Sequence, residues 1–582
     1  MWNVSFPMRA FRTERSVGVA TALAAWVAGA PLAAAQLGPP VPLLPQATPK
    51  PDTAAPVAPI GAGPPPEVLE QQPLAGTDAA WTGTLSSDQG AFPPTLWQGT
   101  SRDFVAAALP LLTASSSPAL QDLDRRLLLS NAASPAGTDM PDRPPLAVER
   151  LDRLLALGDV KGALGIVDLL PKDSSGDDMD RDHVQLQFAA GDRDGACATV
   201  NDRIARYQGP WWARALIACQ ALAGDGAKVS LGMSLLHEQK APPDPAFDAL
   251  ISTLGGSPRR IDKLPDPSPL RLTLLAATKE ALPAAALATA GPAALAAYAN
   301  NGDVPILRRL PAAERAALLG ALAPDALGEL YRQVDVTPDE QTTALKEDAL
   351  PQDAKSRAIL FQVARSGAPA ETREAAILAL LTEARKRQAF PLTARLLVPA
   401  LSDLSAEGIS APFAAEAARV LLVTGHTEAA QPWIAASGSK AIEVLRLLAA
   451  GPTAGDSGAL VHDAVTELAN RAPAAAPAQA NLLMALLSAL GIDRGKLDWG
   501  LLITPPHDAS LPSAALWTEQ KQAMSERRLG ETVLASVLLV EAGERLSLEP
   551  MLLDRAIAGL VAVGCETDAH ALALEAAIDA GI

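Results

Sequence analysis

Aromatic side chains make up only 4% of this 582-residue chain, and tyrosine occurs 3 times. Strands draw on aromatic and β-branched residues, so this scarcity speaks against a β-rich fold. Cysteine also occurs 3 times, too few for a disulfide scaffold. No cysteine pair has zinc spacing, and the 6 histidines include no His-Glu-x-x-His, so nothing points to a metal site. Basic residues fall short of acidic ones, 48 against 65, for a net charge of −17. That balance speaks against nucleic acid, whose phosphates need clustered Lys and Arg, and against an anionic membrane surface. A Gly-rich phosphate loop and a Gly-x-Ser-x-Gly elbow are both missing, and no cofactor is expected.

What is plentiful is Ala and Leu, within a hydrophobic share of 49%. These are strong helix formers, and small Ala lets helices approach closely. The composition therefore predicts an all-α protein. Its length exceeds what one core organises, so repeats or several domains are expected.

Residues 1–35 read as a secretory signal peptide. Arg9, Arg12 and Arg15 precede an apolar run from Val17 to Ala35, which closes on Ala33-Ala34-Ala35 before Gln36. Cleavage is expected after Ala35. The rival reading, an uncleaved anchor, is the single membrane association that the sequence suggests. Either way the rest lies outside the cytoplasm, and the periplasm is the expected address. Residues 36–95 form a Pro-rich tether and cap. Prolines crowd it as far as Pro64-Pro65-Pro66 and prevent a packed core, so this N-terminal segment is expected to be disordered. Trp81, Phe92 and Trp97 are expected to dock as a cap on the helical body, with a binding role as the alternative.

Helical stretches then follow to the end, in an N-terminal lobe over 96–258 and a less regular C-terminal lobe over 266–582. Gly255-Gly256-Ser257-Pro258 and Pro265-Asp266-Pro267 mark the boundary near residue 260. Gly158-Asp159, Gly191-Asp192 and Gly224-Asp225 lie 33 residues apart, each closing one helical stretch and opening another. Gly supplies the left-handed residue that ends a helix, and Asp caps the next. Ala163 and Ala196 follow their glycines by five residues, as Ala430 follows Gly425 and Ala569 follows Gly564. A small residue there lets the second helix lie against the first. At the third bend the fifth residue is Val229, and the match loosens.

This period resembles the tetratricopeptide repeat, which implies a right-handed α-solenoid of stacked helical hairpins. The stretch Thr95-Leu96-Trp97-Gln98-Gly99-Thr100-Ser101-Arg102, followed by these hairpins, also resembles a family of exported, alanine-rich bacterial proteins often labelled antifreeze glycopeptide polyprotein. The chain has no tandem Ala-Ala-Thr run, and its alanines fit helix packing better than an ice-binding plane.

Cys197 and Cys219 fall near the same end of consecutive hairpins. They are a candidate disulfide in an oxidising compartment, or else two separate buried thiols. Cys565, beside Gly564, would be a free thiol or the site of an intermolecular bridge. Trp211-Trp212 follows Gly209-Pro210 and anchors a helix start in the core, or else turns one ring to a groove. Gly455-Asp456-Ser457-Gly458 matches a serine-protease tetrapeptide but lies between helical stretches, where Ser457 reads as a helix cap. His462-Asp463 and His507-Asp508 are adjacent in sequence and so face different ways on a helix. Asp177-Asp178 reads as solvated charge. The expected activity is non-enzymatic: a scaffold or adaptor that holds a protein or peptide partner in the cell envelope. A structural spacer, or less strongly a cell-wall hydrolase, are the rivals.

Overall fold

The computed structural model describes residues 79–140, 142–170, 176–345, 353–451, 457–496, 499–503 and 511–582. The signal segment, the proline-rich tether, Gly455-Asp456 and His507-Asp508 lie outside them. Short helices α1 (Arg102–Ala108) and α2 (Pro118–Leu129) come first. Three hairpins follow: α3 (Leu146–Leu157) with α4 (Val160–Leu169), α5 (Asp177–Ala190) with α6 (Arg193–Arg203), and α7 (Pro210–Leu222) with α8 (Gly226–Glu238). Next come α9 (Pro245–Leu254), α10 (Pro269–Ala277), α11 (Ala284–Thr289) and α12 (Pro292–Ala299). The middle of the chain holds α13 (Ile306–Leu318), α14 (Pro324–Arg332), α15 (Pro338–Ala344), α16 (Ala354–Ala364), α17 (Ala370–Lys386) and α18 (Phe390–Leu401). Then follow α19 (Ala411–Val423), α20 (Thr427–Ser437), α21 (Lys440–Ala450), α22 (Ser457–Arg471), α23 (Ala476–Ala489) and α24 (Trp499–Leu502). The chain closes with α25 (Ala514–Ser525), α26 (Leu529–Val540), the antiparallel pair β1 (Glu541–Ala542) and β2 (Arg545–Leu546), α27 (Pro550–Ala562) and α28 (Glu566–Asp579). Among the described residues the fold is all-α apart from that small hairpin.

The bends explain why one helix gives way to the next. Gly158, Gly191 and Gly224 take φ of 91°, 111° and 75°, a region costly for any residue with a Cβ. The following Asp then caps the second helix: Asp159 accepts from Gly162 N–H, Asp192 from Gly195 N–H and Asp225 from Lys228 N–H. Gly425 and Gly564 turn in the same left-handed way, at 79° and 85°. Ala163, Ala196, Ala430 and Ala569 are fully buried against the partner helix. Val229 is only half-buried.

The N-terminal cap is pinned by charge and rings together. Trp81 and Trp97 pack edge to face at 4.7 Å, and both are buried. Arg150 of α3 lies over the Trp81 ring, and its guanidinium donates to the carbonyls of Leu128 at 2.6 Å, Ala80 at 3.2 Å and Thr82 at 2.7 Å. Burial pushes this guanidinium down to about 9. A second buried cluster ties the middle helices: Glu314 of α13 accepts from Arg357 at 2.7 and 2.6 Å and from the Tyr331 hydroxyl at 2.6 Å.

Across the connection near residue 260, α10 and α12 lie against α5, and α12 also lies against α3. More unexpectedly, the two ends of the helical body meet: α2 packs on α26 and α28, and α1 on α26. Ser116 N–H donates to the Glu544 carbonyl at 2.8 Å, and Gly530 N–H to that of Leu96 at 2.8 Å. Arg126 pairs with Asp568 at 2.6 Å. Glu575, 5% exposed, accepts from the Ser117 hydroxyl and, at 3.0 Å, from Ala119 N–H. Glu575 thereby caps the N-terminus of α2, whose first N–H groups have no partner within the helix. Helices separated by more than 400 residues share one seam.

Candidate binding cleft

The sequence-flagged residues take defined places. Cys197 in α6 and Cys219 in α7 are joined by a disulfide, with Cα atoms 5.6 Å apart. Cys565 stands at the N-cap position of α28 as a buried thiol that burial drives up to about 12. It is the free thiol that the sequence offered as one alternative. Trp212 is fully buried, stacks on Tyr207 and donates its indole N–H to Asp177 at 2.7 Å. Trp211 packs edge-on beside it and is half-buried. Asp177 is therefore engaged and also pairs with Arg181. Ser457 is the first residue of α22.

The histidines are dispersed. His570 donates its Nδ1–H to the Leu448 carbonyl at 2.7 Å. His426 sits beside the Thr424 hydroxyl at 3.0 Å. Burial lowers the affinity of His183 for a proton. Among the described residues no group of three His, Cys, Asp or Glu is placed to hold a metal ion. Likewise, none of their helices is long and apolar enough to cross a membrane.

A cleft of about 220 Å³ opens where α22, α23 and α24 converge. Val461, Val465 and Ala469 recur at four-residue steps along α22, which brings them to one face as an apolar floor. Met484 of α23 and Leu501 and Leu502 of α24 complete the apolar lining. The polar side of the same α22 face carries His462, Thr466 and Asn470. Arg494 and Lys496, both exposed, come from the connection after α23 and reach the rim. That connection is held tight: Gly495 crosses the start of α22 so closely that a Cβ on it would lie 2.3 Å from the Gly458 carbonyl oxygen. Asp493 accepts from Gly495 N–H at 3.0 Å and fixes the turn. Among the described residues the lining holds two cationic side chains, Arg494 and Lys496, and no carboxylate. The chain as a whole carries a net charge of −17.

Nearby, Trp499 and Ile503 are 61% and 74% exposed. An apolar floor with a cationic rim and exposed large side chains beside it suits a ligand that carries both a hydrophobic group and a negative charge. Sequence reasoning passed over Arg494 and Lys496. The one usable signal was their place in a Gly-containing connection between two long helices, amid net negative charge.

Comparison with known protein families, curated proteins and solved structures gives no match for this chain.

Proposed function

We propose that this protein is a non-enzymatic helical scaffold that holds a peptide or protein segment in the cleft between α22, α23 and α24. The cationic rim over an apolar floor carries the reading: it complements a segment with an acidic group beside a hydrophobic side chain. Stacked hairpins of the tetratricopeptide kind are the architecture we assign to it. Three consecutive Gly-Asp bends of one geometry support that assignment. We place the protein in the periplasm, exported by residues 1–35. The Cys197–Cys219 bridge supports an oxidising compartment, since such bonds are kept reduced in most cytosols.

The test is crosslinking with mass spectrometry in intact cells, comparing the wild type with the Arg494→Glu, Lys496→Glu variant. A partner crosslinked at residues 461–470 and lost in the variant is the expected result. A spacer would yield no stoichiometric partner in either protein, and that outcome ends the reading.

A further inference from the structure

The seam between the two ends of the helical body contains a pair of acids that nothing neutralises. Asp124, on the inner face of α2, is 2% exposed, and neither of its carboxyl oxygens has a hydrogen-bond partner. Glu541 directly follows α26. One of its oxygens accepts from Thr113 N–H at 3.3 Å, and the other is buried without a partner. The charge of Asp124 bears directly on Glu541.

The other charged groups on the elements around them are engaged elsewhere or exposed, apart from Asp579 of α28 and Asp554 and Arg555 of α27, which are half-buried, with Arg555 lying over the Trp517 ring. On α2 itself, Asp122 pairs with Arg125 at 3.1 Å and Arg126 at 3.4 Å, and Arg126 reaches Asp568 of α28. From α28, Glu575 is held by Ser117 and Ala119. From α3, Arg153 pairs with Glu149 at 3.3 Å and donates to the Pro110 and Leu112 carbonyls. From the β1–β2 hairpin, Glu544 pairs with Arg315 of α13, and Arg545 is exposed. From α26, Glu531 is bound to Arg528 at the far end of the helix.

We propose that Asp124 and Glu541 form a proton-operated latch: the seam closes with a proton held on the pair, and its loss loosens the contact between α2 and the α26–β1 junction. Two neighbouring ionised carboxylates, one buried and the other half-buried with one oxygen shut off from solvent, repel each other at a cost, so at least one stays protonated while the seam is shut. Burial drives both groups well above the ordinary carboxylate range. In an open seam, water reaches them and the ordinary values return. Closure therefore takes up a proton, and its favourable free energy drains away as pH rises through the closed-state values. The inference is independent of any partner in the cleft.

Hydrogen exchange of the full chain, read by mass spectrometry from about pH 5 to about pH 9 and corrected for intrinsic rates, tests it. The opening constant of segments 118–129 and 529–546 should climb by up to about tenfold per pH unit. The α19–α20 hairpin should show no such climb. The Asp124→Asn, Glu541→Gln variant should abolish it. An equal slope in the seam and the α19–α20 hairpin, or a slope retained in the variant, overturns the proposal. Asp124→Asn alone is a milder check, because Glu541 then loses its like-charged neighbour, its closed-state value falls, and the climb should level off at lower pH. An unmoved levelling-off point would also overturn it.

Discussion

Glu575→Gln separates the charge of the α2 cap from its shape. In the native protein burial pushes Glu575 from 4.5 up to about 7, against the lowering effect of its Ser117 and Ala119 hydrogen bonds. The folded value is raised, so the carboxyl's contribution is fully present below about pH 4.5 and is lost as pH climbs through about 7. That span corresponds to about 3 kcal/mol at 1.36 kcal/mol per tenfold change. Glutamine keeps the side chain's size and one accepting oxygen but cannot ionise. Its own cost, one donor of α2 left poorly satisfied, is about 1–2 kcal/mol and does not depend on pH. Urea unfolding of both proteins at a series of pH values should show the wild type ahead in acid. Its lead should then shrink by about 3 kcal/mol towards pH 8, with the order reversing if the amide's fixed cost is small. Asp579, which burial drives up to about 6, also pushes Glu575 upward by its charge, a coupling that the glutamine variant loses. A gap between the two proteins that stays constant with pH, or widens as pH rises, would refute the reasoning.

Arg150→Met removes the donor to three carbonyls that join the cap to α2 and α3, and should cost about 3–5 kcal/mol. Limited proteolysis should then cut first within residues 79–97. Gly530→Ala places a Cβ 2.6 Å from the Trp97 ring and 2.7 Å from the Leu96 carbonyl oxygen, and should destabilise by about 1–3 kcal/mol. Quenching of tryptophan fluorescence by acrylamide reports whether Trp97 is displaced. Reduction of the Cys197–Cys219 bridge, which closes a separation of 22 residues, should lower stability by about 3 kcal/mol. The Cys197→Ser, Cys219→Ser variant should melt lower than the wild type in the absence of reductant, and reductant should not lower it further.

Most helices were legible because their signals are short-range. Helices α3 and α27 carry Ala and Leu at the three- and four-residue steps of a buried stripe, a signal contained within each segment. Helix α18 was missed because Pro391 and Pro399 look like breakers. In the fold, Pro391 sits in the first turn, where its missing N–H costs nothing, and Pro399 lies near the end. Ser457, read as a helix cap, falls at the start of α22. The β1–β2 hairpin has two residues per strand and turns through Gly543 at φ 68°, too short to leave an alternating pattern.

Composition, period and bend residues thus determined the all-α class, the hairpin turns and the pairing candidates among the cysteines. Each depends on residues a few positions apart, where helix propensity and capping act. The meeting of α2 with α26 and α28, the burial of Asp124 and Glu575, and the cleft rimmed by Arg494 and Lys496 were decided only by tertiary packing. Their partners lie tens to hundreds of residues away, and no local preference records which helix will cover a given carboxyl or leave it in water.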